Sequence, residues 1–152
     1  IQNYINGHSD EFKNILETEK RFEFPMDDTL ITGQIDLIKR TDPSGKLKEI
    51  EIVDFKSDSS LLYKADNENQ LKLYVLACLR SLGLKPQRAC IHDLENGEKK
   101  YVEINKIDLK KTENEIKKRI QGIKSKKFYP VSKYKICTEC DYTKICCHKA
   151  LN

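Results

Sequence analysis

Apolar and polar residues alternate with a period of two along three early stretches of the chain. In "EKRFEFPM" (19–26) Phe22 and Phe24 stand against Arg21 and Glu23, and after a "DDT" turn "LITGQIDLIKR" (30–40) reads as a second strand. The turn "TDPSGK", punctuated by Pro43 and Gly45, leads into a third, "LKEIEIVDFKS" (47–57). These three predict an antiparallel meander. Before them, Phe12, Ile15 and Leu16 in "DEFKNILE" (10–17) stand at helical spacing and predict a short opening helix. Over 66–84 the pattern turns helical again, with Leu71, Leu73, Val75, Leu76, Cys78, Leu79 and Leu82 covering nearly every side. That is the pattern of a helix packed on both faces, and Gly83 ends it. "RACIHDL" (88–94) and "KKYVEI" (99–104) predict two more strands joined by the hairpin turn "ENGE", and Leu109, Ile116, Ile120 and Ile123 predict a last helix over 108–124. The order β-β-β-α-β-β-α, with helices against one mixed sheet, predicts an α/β or α+β domain.

Two charges disturb this pattern. Side chains of a strand alternate between faces, so Ile50, Ile52, Asp54 and Lys56 point one way while Glu51, Val53 and Phe55 point the other. A buried, unpaired charge is costly, so Asp54 and Lys56 must be compensated by each other, by a metal, or by solvent in a cleft. An ion pair on an edge strand would suffice. The preceding strand argues for more, because Thr32, Gln34, Asp36 and Ile38 share one face there. If the two strands pair through the "TDPSGK" turn, Asp36 comes close to Asp54 across the ladder. Neighbouring carboxylates repel unless a cation lies between them. Mg²⁺ suits such a pair, completing its octahedron from water, a backbone carbonyl and phosphate. Lys56 would then orient or activate a water and neutralise charge developing on phosphorus. Gln70 and Tyr74, four apart on the next helix, can reach a phosphate or the lysine, although a capping amide and a core tyrosine are their ordinary roles.

Composition adds a partner and a compartment. The 152 residues fit one domain, no apolar run reaches the length of a membrane span, and the amino end is polar and acidic. A soluble, unsecreted, cytoplasmic chain is expected, and the start at Ile1 suggests a piece of something longer. The net charge of +4 is unevenly spread. Residues 106–152 hold 13 Lys and Arg against 5 Asp and Glu, a balance of +8, while the preceding 105 hold 15 against 19. The basic end suits a phosphate backbone or, equally, a solvated helix face. Six cysteines in such a chain argue against a disulfide framework. Cys137 and Cys140, then Cys146, with Cys147 and His148 adjacent, have the density of a metal site. Cys78 and Cys90 read as core residues.

"GQID" (33–36), "VDFK" (53–56) and "QLKLY" (70–74), in this order and at these separations, closely resemble the PD-(D/E)XK nuclease superfamily. Within it the chain is similar to the RecB-like branch, fused to UvrD/Rep-type helicases or found in CRISPR-associated exonucleases, over about residues 19–148. The resemblance implies a restriction-endonuclease-like α/β core, a mixed central sheet flanked by helices, as a single domain over 1–152. It also implies Asp36 and Asp54 as ligands of Mg²⁺ or Mn²⁺, Lys56 as catalytic lysine, and Gln70 and Tyr74 as the supporting motif. The implied activity is that of a DNA nuclease, exonuclease rather than endonuclease, as the carboxy-terminal module of a UvrD/Rep-like helicase in DNA repair. A stand-alone CRISPR-associated exonuclease, or a catalytically weak module that grips DNA or docks a partner, are the alternatives. One departure concerns the helix that usually precedes the first strand and carries a histidine or glutamate near the metal, for which His8, in "NGHSDE", is the one histidine available. In iron–sulfur members, cysteines spaced like those of the tail (130–150) hold a [4Fe–4S] cluster with a fourth from before the core. By that similarity Cys137, Cys140 and Cys146 are three ligands, the fourth lying upstream of Ile1. A Zn²⁺ site completed by Cys147 or His148 is the other possibility, and either would tie the tail to the start of the domain.

Overall fold

In the computed structural model the described residues are 7, 9–41, 49–57, 64–102, 104, 106–127, 137–138 and 140–146. A 3-10 turn over Ser9–Asn14 runs directly into β1, Ile15–Met26, which forms a hairpin with β2, Thr29–Arg40. β3, Glu49–Lys56, continues the meander antiparallel to β2. Helix α1, Lys64–Ala77, supplies the crossover that a parallel neighbour requires, and β4, Lys85–Asp93, lies parallel to β3. β5, Lys99–Val102, returns antiparallel on β4, and α2, Lys106–Lys124, follows. The sheet keeps the sequence order β1-β2-β3-β4-β5. This is the mixed α/β sheet expected from the alternation.

The chain divides into two compact units, Ile1–Lys117 and Lys118–Asn152, with the division inside α2. The sheet and α1 belong to the first. Its core has two sides. Leu37, Val53 and Cys90 cluster with Phe55 on one face of the sheet. Ile50 and Ile52, both fully buried, alternate with them on β3, and α1, buried along Leu71, Tyr74, Val75 and Ala77, packs against β3 and β4. Arg80 sits 5.9 Å above the Phe24 ring and pairs with Glu113 of α2 at 2.9 Å. Burial pushes the Cys78 and Cys90 thiols up to about 12, so both are inert core residues, as their apolar settings suggested.

Three details differ from the sequence pattern. The opening helix is a single 3-10 turn, and Ile15 and Leu16 belong to β1. Twelve residues of β2 offer ladder partners, and pairing Ile15 with Lys39 satisfies backbone that a helix end would leave open, with a bulge between Ile15 and Glu17 absorbing the change. Helix α1 finishes in a π-helical turn, Cys78–Leu82, before Gly83 takes a left-handed φ of +64°. That turn leaves Leu79 exposed, so the helix is not covered on both faces. Lastly, β3 is the middle strand of five, so the Asp54–Lys56 pair is not an edge-strand feature.

Candidate active site

The β2–β3 ladder runs from Arg40 opposite Ile50 to Leu37 opposite Val53, and continuing the register sets Asp36 against Asp54. At that point a side chain replaces the backbone. The Phe55 amide donates to Asp36 Oδ2 at 2.8 Å, so Asp36 reaches across to β3 and its carboxylate is fixed beside the strand that carries Asp54 and Lys56. Along that strand, burial on the α1 side continues from Ile50 and Ile52 through Asp54, which is 1% exposed. The Lys56 side chain, 28% exposed, emerges at the rim. The carbonyl of Lys56 accepts from Leu94 N at 2.9 Å, and Lys56 stands opposite Asp93 on β4, so its backbone is held on the β4 side.

The Lys56 ammonium lies 2.8 Å from Asp54 Oδ2 and donates to Gln70 Oε1 at 3.1 Å. Gln70 Nε2 in turn donates to the Tyr74 hydroxyl at 2.6 Å. An ammonium only donates, so this orientation of the amide is the one the lysine requires. Gln70 and Tyr74 thus reach the lysine as one chain from a single helix face, where the i, i+4 spacing put them. The Tyr74 ring also meets Phe22 edge-on, with centroids 6.0 Å apart, which anchors the end of the chain in the core.

The electrostatics are those of a buried acid with too little compensation. The Asp54 carboxyl is pushed above its usual range, first by burial and further by Asp36, against the pull of Lys56. Although the ammonium is close, Asp54 Oδ2 is buried without a hydrogen bond of adequate direction. Burial likewise raises the Tyr74 phenol; the Gln70 bond opposes it, and Asp54, Asp36 and Glu19 add to it. Tyr74 therefore keeps its proton at neutral pH and can donate it in a hydrogen bond.

Of the five residues singled out from the sequence, Asp54, Lys56, Gln70 and Tyr74 are linked by these contacts, and Asp36 is tied to the same strand through the Phe55 amide. Two more belong with them. Glu19 has a left-handed φ of +50° on β1 and accepts a hydrogen bond from Gln34 Nε2. It falls opposite Asp36, between the pairs Thr18–Leu37 and Lys20–Ile35. Gln34 was visible as a polar residue sharing a face with Asp36; Glu19 carried no signal, since its turn of backbone is not written in "ETEK". His8, the histidine proposed for the helix before the first strand, lies outside the described residues.

A divalent cation fits this donor set. Asp54 offers a buried oxygen with no hydrogen-bond partner. Asp36 has one oxygen held by Phe55 N, leaving the other. Mg²⁺ is ordinarily bound by only one or two carboxylates, with waters and phosphate completing the shell. Among the described residues no group of three or more His, Cys, Asp or Glu gathers closely enough to hold a metal by itself. That includes Cys137, Cys140 and Cys146, which are half-buried around a turn where Thr143 Oγ1 donates to the Cys140 carbonyl at 2.7 Å. The described thiols alone therefore do not form the iron–sulfur or zinc site expected from their spacing, and Cys147 and His148 lie outside the described residues.

The family model of the PD-(D/E)XK nuclease superfamily matches residues 3–147. The chain belongs to the PD-(D/E)XK nuclease superfamily. Proteins of this superfamily are generally metal-dependent nucleases that use Mg²⁺ or Mn²⁺, and the fold implies a DNA substrate. The same architecture occurs in the crystal structure of SSO0001, with a TM-score of 0.52 and 14% identity, over 99% of this chain and 66% of that one. This PD-(D/E)XK chain thus spans only part of the length of SSO0001, and the likeness concerns the fold. No curated protein sequence matches the chain. Among the described residues no helix is long and apolar enough to cross a membrane.

Proposed function

We propose that this PD-(D/E)XK chain is a deoxyribonuclease module of the RecB-like kind, with Asp36 and Asp54 holding Mg²⁺ or Mn²⁺ and Lys56 serving the phosphate. The observation that carries the reading is the buried, unsatisfied Oδ2 of Asp54 beside Asp36 and Lys56. A divalent cation bound there would supply positive charge to the phosphate and lower the pKa of a water. The chain's own groups do the rest. Asp36 is oriented by the Phe55 amide, so its free oxygen is pre-placed. Lys56 has one donor committed to Gln70 and lies 2.8 Å from Asp54, and its exposed side leaves a donor for a phosphoryl oxygen or an attacking water. Gln70, held in turn by Tyr74, fixes one direction of that ammonium.

The module works in DNA repair as the carboxy-terminal part of a UvrD/Rep-type helicase, digesting strands from an end while the motor supplies them. The three ordered motifs support this reading. Its tail cysteines, Cys137, Cys140 and Cys146, contribute to a [4Fe–4S] cluster completed from outside the described residues. Their spacing supports this role, and iron and sulfide analysis of the longer protein tests it.

The test of the nuclease reading is cleavage of linear DNA with Mn²⁺ by the wild type, Asp54→Ala and Lys56→Ala, with circular dichroism as a check of fold. Activity in the wild type and its loss in both folded variants supports the assignment. Retained activity in either variant overturns it.

A further inference from the structure

β3 ends at Lys56, and its last residues are held from its two neighbours by different means. On the β2 side the ladder closes with Leu37 opposite Val53, and beyond it the Asp36 carboxylate takes the Phe55 N–H. On the β4 side the Lys56 carbonyl accepts from Leu94 N at 2.9 Å, and Leu94 stands just past the end of β4, in the turn to β5. The backbone of Lys56 is therefore fastened to a turn. We propose that Asp93, the residue that builds this turn, is a positioning residue for Lys56. The proposal rests on the nuclease reading for the task of Lys56, while its structural half is measurable without it.

Three observations lead to it. The first is how the turn is shaped. Residues 94–98 are all exposed, Leu94 at 42% included, so side-chain packing does not fix their course. Asp93 does. Its Oδ1 accepts from Glu95 N at 2.9 Å and from Asn96 N at 3.4 Å, its carbonyl accepts from Gly97 N at 2.9 Å, and its own N–H donates to Glu98 O at 2.9 Å. A side-chain oxygen that takes the amides two and three residues on holds a turn without help from a core. Gly97, at a φ of +74°, supplies the reversal that returns the chain into β5.

Placement is the second observation. An aspartate can form such a turn on an open surface, yet Asp93 is 5% exposed. It stands opposite Lys56 in the parallel register of β3 and β4, as Ile91 stands opposite Asp54, and partners in register share a face of the sheet. Asp93 thus lies on the face that carries Asp54 and Lys56, and a displaced turn is felt there directly. The third is leverage. Lys56 reaches Asp54 Oδ2 at 2.8 Å and Gln70 Oε1 at 3.1 Å on a flexible stem, so these contacts hold only while its backbone stays in place. A misplacement of about 1 Å at a reacting group can cost about 10²-fold in rate. Without the Asp93 carboxylate the amides of Glu95 and Asn96 lose their acceptor, the turn loosens, and Leu94 N leaves the Lys56 carbonyl.

Metal-free protein tests the structural half. Amide hydrogen exchange at Leu94 and the ammonium nitrogen resonance of Lys56, assigned with Lys56→Arg, would be followed by NMR in wild type, Asp93→Ala, Asp93→Asn and Asn96→Ala. Asp93→Ala should speed exchange at Leu94 by about tenfold and shift or broaden the Lys56 resonance. Asp93→Asn keeps an oxygen for both amides and should behave as wild type. Asn96→Ala removes from the same turn the bond of Asn96 Oδ1 to Glu98 N, 2.8 Å long, and should leave Leu94 and Lys56 unchanged. With Mn²⁺ and linear DNA, Asp93→Ala should lower kcat by roughly 10–100-fold while KM and Mn²⁺ affinity stay near wild type. Leu94→Pro deletes the donor to Lys56 but leaves Asp93 its other bonds at a turn position that suits proline, so it should lower kcat alike and decides the matter if Asp93→Ala does not fold.

Wild-type exchange and an unmoved Lys56 resonance in Asp93→Ala overturn the proposal, as does an Asp93→Asn variant as impaired as Asp93→Ala. The expected NMR changes in a chain that never cleaves DNA would uphold the positioning role while removing the nuclease assignment. Cleavage at an undiminished rate by folded Asp93→Ala and Leu94→Pro would do the reverse.

Discussion

Asp36 and Phe55 lie on neighbouring strands, and the Phe55 amide donates to the Asp36 carboxylate where the next ladder bond would fall. One acid therefore has two duties, closing the sheet and facing the proposed cation, and two substitutions separate them. Asp36→Asn keeps an oxygen for Phe55 N–H but removes the charge. Its melting temperature should stay near that of the wild type. Mn²⁺-dependent cleavage should fall by more than the roughly 10–100-fold typical of losing a partner behind a metal ligand. Asp36→Ala should lose the same activity and in addition about 1–3 kcal/mol, because the amide is left unsatisfied. Denaturant melts beside a cleavage assay distinguish the two.

Asp54 sets a pH dependence of known sign. Its folded carboxyl is raised by burial, so the folded chain holds this proton more tightly than the unfolded one. Without metal, the contribution of Asp54 to stability should decline as pH rises from the ordinary carboxylate range through the raised folded value, and stay low at neutral pH. Asp54→Asn should abolish that decline and stabilise the metal-free protein at pH 7 by about 0.5–2 kcal/mol, as relief of a functional site commonly does. Binding of Mn²⁺ needs the ionised form, so its affinity should rise over the same pH interval and each binding event should release protons. Urea melts against pH and calorimetry in two buffers of different ionisation enthalpy measure both effects.

Much of this site was written in periodicity. Asp36 and Asp54 interrupt apolar faces of two strands joined by one turn, so alternation alone aimed them at each other, and Gln70 and Tyr74 followed from helical spacing. What alternation could not give was the backbone detail that finishes the site. The left-handed Glu19, the bulge beside Leu16 and the π-helical turn after α1 are each choices between close alternatives, decided by the ladder and the packing around them. Nor did the pattern reveal that Glu51, polar and on the face opposite Asp54, would be 4% exposed. Its compensation comes from residues far along the chain, which a local window does not contain.

Gly33, the first residue of "GQID", is constrained by an aromatic ring. A Cβ added there would lie 2.5 Å from Phe22 Cζ, and its φ is not of the kind that demands glycine. Phe22 is itself buried and touches Phe24 and Tyr74, so it has little room to retreat. Gly33→Ala should cost about 1–3 kcal/mol, the range of overpacked cores. Shortening the ring in Gly33→Ala/Phe22→Leu should recover part of that loss, and a double-mutant cycle of urea midpoints reads the coupling.

The back of the sheet carries an ion network that should govern stability and leave the chemistry alone. Lys39 and Glu51 are cross-strand partners, with Nζ 3.5 Å from Oε2, and Glu11 from the opening turn meets Lys39 at 2.5 Å and Lys99 at 3.5 Å. The Cys90 thiol, pushed up to about 12 first by burial and then by Glu51, remains protonated and faces Glu51 Oε1 at 3.5 Å. Burial alone would lower the Lys39 pKa, but Glu11 and Glu51 carry it above the ordinary lysine value. The stabilisation from Lys39 is therefore complete below the unfolded lysine pKa and lost as pH rises through the higher folded one. Lys39→Met leaves Glu51 buried without its counter-charge and should cost about 3–5 kcal/mol at pH 7, whereas adding Glu51→Leu removes the orphan and should restore most of it. Urea unfolding of the single and double variants tests this, and a double variant no more stable than Lys39→Met would mean that the network does not act through charge pairing.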